Sequence, residues 1–140
     1  MRLLGRFLVG GAAEGPVLAT EPLSFWGGVD PATGRVIDRS HPAVGRSLAG
    51  TILVIPSGRG SSSSSTVLAE AIRLGTAPAG IVSSEPDPIL VIGALVAARL
   101  YGRTCPIVLL SPSDLAALSQ AASAAIMPEG DDEGAVVLGA

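Results

Sequence analysis

From residue 51 onward, short apolar runs alternate with amphipathic stretches. "TILVIP" (51–56) carries four consecutive apolar residues, three of them β-branched, and predicts a buried strand ended by Pro56. In "TVLAEAIRLG" (66–75), Val67, Leu68, Ala71, Ile72 and Leu74 make a stripe at helical spacing, and Gly75 is a natural stop. "AGIVS" (79–83) predicts a second strand. "DPILVIGALVAARLYG" (87–102) predicts a second helix, with Pro88 suited to its first turn and Gly102 to its end. This helix is apolar nearly all round, so the pattern predicts that it is buried, between layers or against another subunit. "PIVLL" (106–110) predicts a third strand and "SPSDLAALSQAA" (111–122) a third helix. A β-α-β-α-β-α order implies parallel strands joined by right-handed crossovers.

The two ends read differently. Residues 3–9 and 17–19 predict strands around a turn at "GGAAEGP", and "AAIMPEGDDEGAVVLG" (124–139) predicts a hairpin. "LSFWGGVDPATGRVID" (23–38) reads as a loop, a turn at Asp30-Pro31 and Thr33-Gly34, and a short strand, and "HPAVGRSLAG" (41–50) as a connector. The fold class expected is α/β: a mixed β/β/α layer or barrel forming one domain over residues 1–140, with no linker and no internal repeat.

Composition narrows the options. Hydrophobic residues make up 48% of the chain and charged ones 15%, which excludes a generally disordered polypeptide. So little charge predicts that a partner covers much of the surface. Net charge is −3 and all nine basic residues are Arg, without a basic cluster or aromatic ladder, so no nucleic-acid partner is expected. The N-terminal "MRLLGRFLVGGAAEGP" is interrupted by Gly5, Arg6, Gly10 and Gly11, unlike a signal peptide, and the apolar run at 88–102 is too short for a bilayer. A soluble cytoplasmic protein with no membrane partner is expected. One cysteine, Cys105, excludes an internal disulfide and a self-contained cysteine metal site; a buried apolar role is expected of it.

The candidate chemistry lies in "SGRGSSSSS" (57–65), where a strand turns into a helix. Backbone N–H groups at a helix start lack intrahelical partners, and the helix dipole adds partial positive charge there. Gly58 and Gly60 allow a sharp turn and a close ligand approach, and Arg59 offers a fork for a carboxylate or phosphate. Three readings stay open: an anion site, a serine-capped helix start, and a mobile tract. A Walker phosphate loop is excluded because no Gly-Lys-Ser/Thr follows, and no Gly-x-Ser-x-Gly elbow is present. A serine ionised beside Arg59 could abstract a proton in a β-elimination. Glu85 and Asp87 lie where they would cap the second helix, and Asp30 and Thr33 where they would satisfy their own turn.

The segments "SFWGGVDPATGRVIDRSHPAVGRSLAGTILVIPSGRGSSSSSTVLAEAI" and "SSEPDPILVIGALVAARLYG" resemble the small-subunit, or swivel-domain, signature of the aconitase X family, over roughly residues 4–110. The resemblance implies a swivelling β/β/α barrel. It also implies a hydro-lyase whose large subunit carries an iron–sulfur cluster, with the active site formed between the two chains. No cofactor is expected on this chain. Similarity of Gly60-Ser61-Ser62 to the start of the Gly-Ser-Ser-Arg-Glu-His stretch of classical aconitases implies Ser61 as catalytic base, with Ser62 as runner-up. Arg59, Gly60, Ser62 and Ser63 are then expected to bind a small hydroxy-acid substrate. The family's Arg-Glu-His is here Ser63-Ser64-Ser65, so a substrate with fewer carboxylates than citrate is expected. The two activities the family implies are dehydration of cis-3-hydroxy-L-proline in bacteria and of mevalonate 5-phosphate in archaea; the first is favoured because the Lys-free composition and a small subunit as its own chain fit a bacterial two-chain enzyme. Readings of another class are a phosphohistidine carrier using His41, or a non-catalytic interaction module.

Overall fold

The computed structural model describes residues 1–139. The chain opens with β1 (Arg2–Val9) and β2 (Ala13–Ala19), then a small ladder of β3 (Val29–Asp30) and β4 (Arg35–Val36). The alternating part follows as β5 (Ile52–Val54), α1 (Ser64–Leu74), β6 (Gly80–Ser83), α2 (Pro88–Tyr101), β7 (Ile107–Leu109) and α3 (Pro112–Leu118). The hairpin β8 (Ser123–Pro128) and β9 (Glu133–Gly139) completes it. Seven strands close into a barrel in the order β1-β7-β6-β5-β2-β8-β9, with β9 pairing back onto β1. β2, β5, β6 and β7 are parallel neighbours and the other pairings are antiparallel. The α/β class, the mixed barrel and the central β-α-β-α-β-α order are those expected from the pattern.

β5, β6 and β7 read as largely apolar runs because both of their faces are covered. Ile52, Val54, Val82 and Val108 point with Leu3, Ile126 and Val136 into one core, which Leu115 and Leu118 of α3 join. The alternate positions Leu53, Ile55, Ile81 and Ile107 point into a second core with Leu68 and Ile72 of α1, Leu90 and Ala94 of α2, and Phe25 and Leu48 of the 20–50 segment. One side of the barrel is therefore its filled interior, and the other carries the helix pair and the long N-terminal connection.

Three local details differ from the sequence pattern. β2 begins at Ala13 although "AAEGP" reads as turn, because Ala13–Pro16 pair with Ser123–Ile126 of β8. A Cβ on Gly15 would overlap the Gly50 carbonyl, so that strand position admits only glycine. α3 stops at Leu118. α2, expected to be buried between layers or against another subunit, packs one side onto this chain and leaves the other bare of it. Leu90, Gly93, Ala94 and Ala97 face inward, whereas Ile92, Leu95, Val96 and Leu100 are exposed. Its small residues bring it close to α1: a Cβ on Gly93 would sit 3.1 Å from Ser65 Cα. The larger apolar side chains are thereby left on the outer face. Asp87 caps α2, accepting from Ile89 N (2.9 Å) and Leu90 N (3.5 Å), with Pro88 in the first turn. No helix among the described residues is long and apolar enough to cross a membrane.

Candidate active site at the serine corner

β5 leads through the buried Ile55 and through Pro56 into the loop 57–63. Pro56 O anchors the loop base by accepting from the amides of Ser84 (3.2 Å) and Glu85 (3.1 Å). Gly58 sits so close to Asp87 that a Cβ there would overlap the capping carboxylate. Gly60 adopts φ +103° and lies against Ser24, whose Oγ a Cβ would overlap. A side chain is disfavoured there by both backbone conformation and space.

The five serines divide their work. Ser61 Oγ accepts the Ser63 N–H (3.1 Å), and Ser61 O accepts the Ser64 N–H (3.0 Å). Ser61 thus caps a tight first turn that runs into α1. Ser63 carries helical torsions and makes no side-chain cap. Ser64 is buried, and its Oγ accepts the Trp26 N–H (3.1 Å). Ser65 Oγ donates to Ser62 O (2.9 Å). The exposed Ser62 and Ser63 keep their hydroxyls free of protein partners among the described residues, and Arg59 is exposed and forms no salt bridge there. The stretch forms a capped turn that leads into α1. Arg59, Gly60, Ser61, Ser62 and Ser63 occur together on one exposed edge.

A strap, residues 21–26, holds this edge from the other side. Leu23 bridges Gly58, and Leu23 O accepts the Arg59 N–H at 3.4 Å. Ser24 Oγ donates to Trp26 O (2.9 Å), and the fully buried Phe25 pins the strap into the core. Trp26 itself is exposed, with its backbone tied at both N–H and C=O. His41 is buried, and its ring contacts the carbonyls of Glu21 and Pro22. The Ser40 hydroxyl and amide hold the Asp38 carboxyl below its ordinary range. The sequence marked neither Ser24 nor His41 as part of this assembly, and Ser64 only as one of five alike. The one available signal was Gly60, whose neighbours had to supply whatever fills the space beside it.

A groove of about 410 Å³ between α1 and α2 begins at Ser65 and Thr66 and does not include Arg59–Ser63. The corner is an open edge rather than an enclosed pocket on this chain. Asp30 and Thr33 serve their own turn, accepting from Ala32 N (3.0 Å) and Arg35 N (3.2 Å). Cys105 is fully buried, with its thiol donating to Pro78 O (3.5 Å), and burial pushes its pKa up to about 12. A buried protonated thiol does not suit a cluster ligand, and among the described residues no three His, Cys, Asp or Glu side chains group as a metal site. What the corner can do is hold an anion and stabilise a negative oxygen. Its resources are bare backbone at Gly60, a free guanidinium and the dipole of α1; the N–H groups of Ser63, Ser64, Ser65 and Thr66 are engaged within the turn itself.

The family model of the aconitase X swivel domain matches residues 2–137. The chain belongs to this family. Over 109 residues this swivel domain is 54% identical to cis-3-hydroxy-L-proline dehydratase of Pseudomonas aeruginosa, covering 77% of the chain and 19% of that relative. Over 93 residues it is 50% identical to the phosphomevalonate dehydratase small subunit of Methanothermobacter thermautotrophicus, covering 66% of the chain and 71% of that relative. The solved structure of aconitase X from Thermococcus kodakaraensis in its holo-form superposes with a TM-score of 0.80 at 33% identity, covering 100% of this chain and 99% of the other. The swivel domain spans about a fifth of the length of the hydroxyproline dehydratases it matches, 19% and 21%.

Proposed function

We propose that this swivel domain supplies the proton-abstracting serine of an aconitase-X-type dehydratase, at an active site shared with a large partner chain. One observation carries the reading: Ser61 Oγ accepts the Ser63 N–H in the turn that leads directly into α1, beside the free Arg59. An oxygen that accepts an N–H in the positive field of a helix start is easier to ionise. Ser62, the runner-up base, receives no such bond.

In this reading Arg59 meets the substrate carboxylate, Gly60 lets it approach the backbone, and Ser62 and Ser63 meet its polar groups. The Ser61 alkoxide takes the proton from the carbon next to the acid group. The C–H electron pair becomes the new double bond, the C–O bond on the adjacent carbon breaks, and its oxygen leaves with a proton as water. Groups outside this chain assist the departing oxygen. The iron–sulfur cluster expected from the resemblance would be held by the partner, because the donor set here is a single buried thiol.

The favoured substrate is cis-3-hydroxy-L-proline. The relative bearing that activity aligns with 77% of the chain, and Arg59 is the sole cation between Pro56 and Thr66, suited to one carboxylate. Mevalonate 5-phosphate is the second reading, supported by the 50% identity to a phosphomevalonate dehydratase small subunit. A phosphohistidine carrier is not favoured, since His41 is buried with both ring nitrogens engaged.

The test is turnover of both substrates by the complex of this chain with its large partner. Ser61→Ala is expected to lower kcat by about 10²–10⁴-fold with assembly intact. Near-normal turnover in Ser61→Ala, with loss in Ser62→Ala, transfers the role to Ser62. Arg59→Ala is expected to raise KM about tenfold or more, the loss of a charged hydrogen bond. An unchanged KM removes Arg59 from substrate binding.

A further inference from the structure

We infer that His41 is a positioning residue, a neutral imidazole whose Nε2–H clamps the strap 21–26 against the serine corner. The inference rests on the proposed role of Ser61 for its effect on turnover, but the clamp itself does not. Nδ1 of His41 accepts the Ala43 N–H at 3.0 Å, so Nδ1 carries no proton. The ring proton is therefore on Nε2, which lies 3.1 Å from Pro22 O and 3.3 Å from Glu21 O. Both carbonyls are acceptors, and Nε2–H is the donor they share. A charged ring would present a second N–H to the Ala43 amide and lose that bond.

His41 is itself fixed. Its N–H donates to Asp38 O (3.1 Å), its C=O accepts from Val44 N (3.1 Å), and the residue is 7% exposed. The imidazole thus ties the 38–44 turn to the carbonyls immediately before Leu23. From Leu23 onward the strap touches the corner three times: Leu23 O on the Arg59 N–H, Ser24 on Gly60, and the Trp26 N–H on Ser64 Oγ. Arg59, Gly60 and Ser64 bracket Ser61. Releasing the strap frees the wall against which the loop 59–63 is set, and a shift of about 1 Å at a reacting group costs on the order of 10²-fold in rate.

The two ring nitrogens can be tested separately. Asn at this position places an acceptor where Nδ1 is and cannot reach the strap; Gln places an N–H near Nε2. Amide exchange of Trp26 and Arg59 is measured in the full chain, and kcat and KM in the complex with the large partner. His41→Asn is expected to lose protection of both amides by at least tenfold and to lower kcat by about 10–100-fold with a smaller change in KM. His41→Gln is expected to retain protection and most of kcat. Unchanged protection in His41→Asn, or equal losses in the two variants, overturns the clamp. Lost protection with undiminished kcat, while Ser61→Ala is inactive, overturns the positioning role. If Ser61→Ala remains active, the base assignment fails instead and amide protection alone decides the clamp. Should His41→Asn not fold, retained protection in His41→Gln supports the clamp and its loss overturns it.

Discussion

Gly58 and Asp87 meet where the serine loop passes the start of α2, and their contact sets up a quantitative test. Gly58→Ala would put a methyl group onto the Asp87 carboxylate, with Asp87 Cγ at 3.1 Å and Leu90 Cδ1 at 3.2 Å. The φ of Gly58 is not in the left-handed region, so the cost is spatial and not conformational. The flexible end of Leu90 can yield by a few tenths of an ångström, whereas the carboxylate cannot move without leaving Ile89 N and Leu90 N. Losing such a cap costs about 1 kcal/mol, within a range of roughly 0.5–2. Asp87→Ala removes the same cap and is expected to cost the same. The double variant has neither carboxylate nor overlap, so its loss is expected to equal that of Asp87→Ala alone, a coupling of about 1 kcal/mol. Urea denaturation of the four proteins, followed by far-ultraviolet circular dichroism, measures the cycle. Additive losses, near 2 kcal/mol in the double variant, would refute the reasoning.

Gly60→Ala combines a left-handed penalty of about 1–2 kcal/mol with the displacement of Ser24; adding Ser24→Gly should recover only the steric part. Full recovery in urea titrations would mean that backbone conformation contributes nothing. For Cys105, the folded-state pKa of about 12 lies above the ordinary value of 9.0, so its contribution is intact below pH 9 and is lost as pH rises towards 12. Stability is expected to fall by about 1.4 kcal/mol per pH unit across that window, and Cys105→Ala to remove this slope. An equal slope in the variant would assign the alkaline loss elsewhere. The native thiol is also expected to resist iodoacetamide at pH 8, with modification following unfolding.

How legible the fold was depended on which positions had their structure decided locally. "TILVIP", "AGIVS" and "PIVLL" announced themselves because two cores leave no polar face to confuse the pattern. Gly75 and Gly102 ended their helices with φ of 79° and 66°, a requirement that the residue type itself displays. Which face of α2 packs on this chain was not legible, because hydrophobicity all round does not reveal which side its small residues will turn inward. β2 was cut short because Gly15-Pro16 reads locally as a turn, while its partner β8 lies over a hundred residues away. At the corner, helix start and glycines were readable. The division of labour among Ser61, Ser62 and Ser64 was not, since identical residues differ only in what the strap and the turn offer them.

Closure of the barrel has a bearing on how the chain is made. Its ring is sealed by its first and last strands: β9 runs between β1 and β8, and Leu138 N donates to Met1 O at 3.0 Å. During synthesis β1 precedes the other barrel strands, and the edge that β9 will cover stays bare until about 130 further residues have left the ribosome. Over that interval the nascent molecule is an open curl with two unpaired margins, the state most prone to stick to a neighbour. Deleting the last strand would therefore leave a protein arrested in that curl, rather than a slightly smaller barrel.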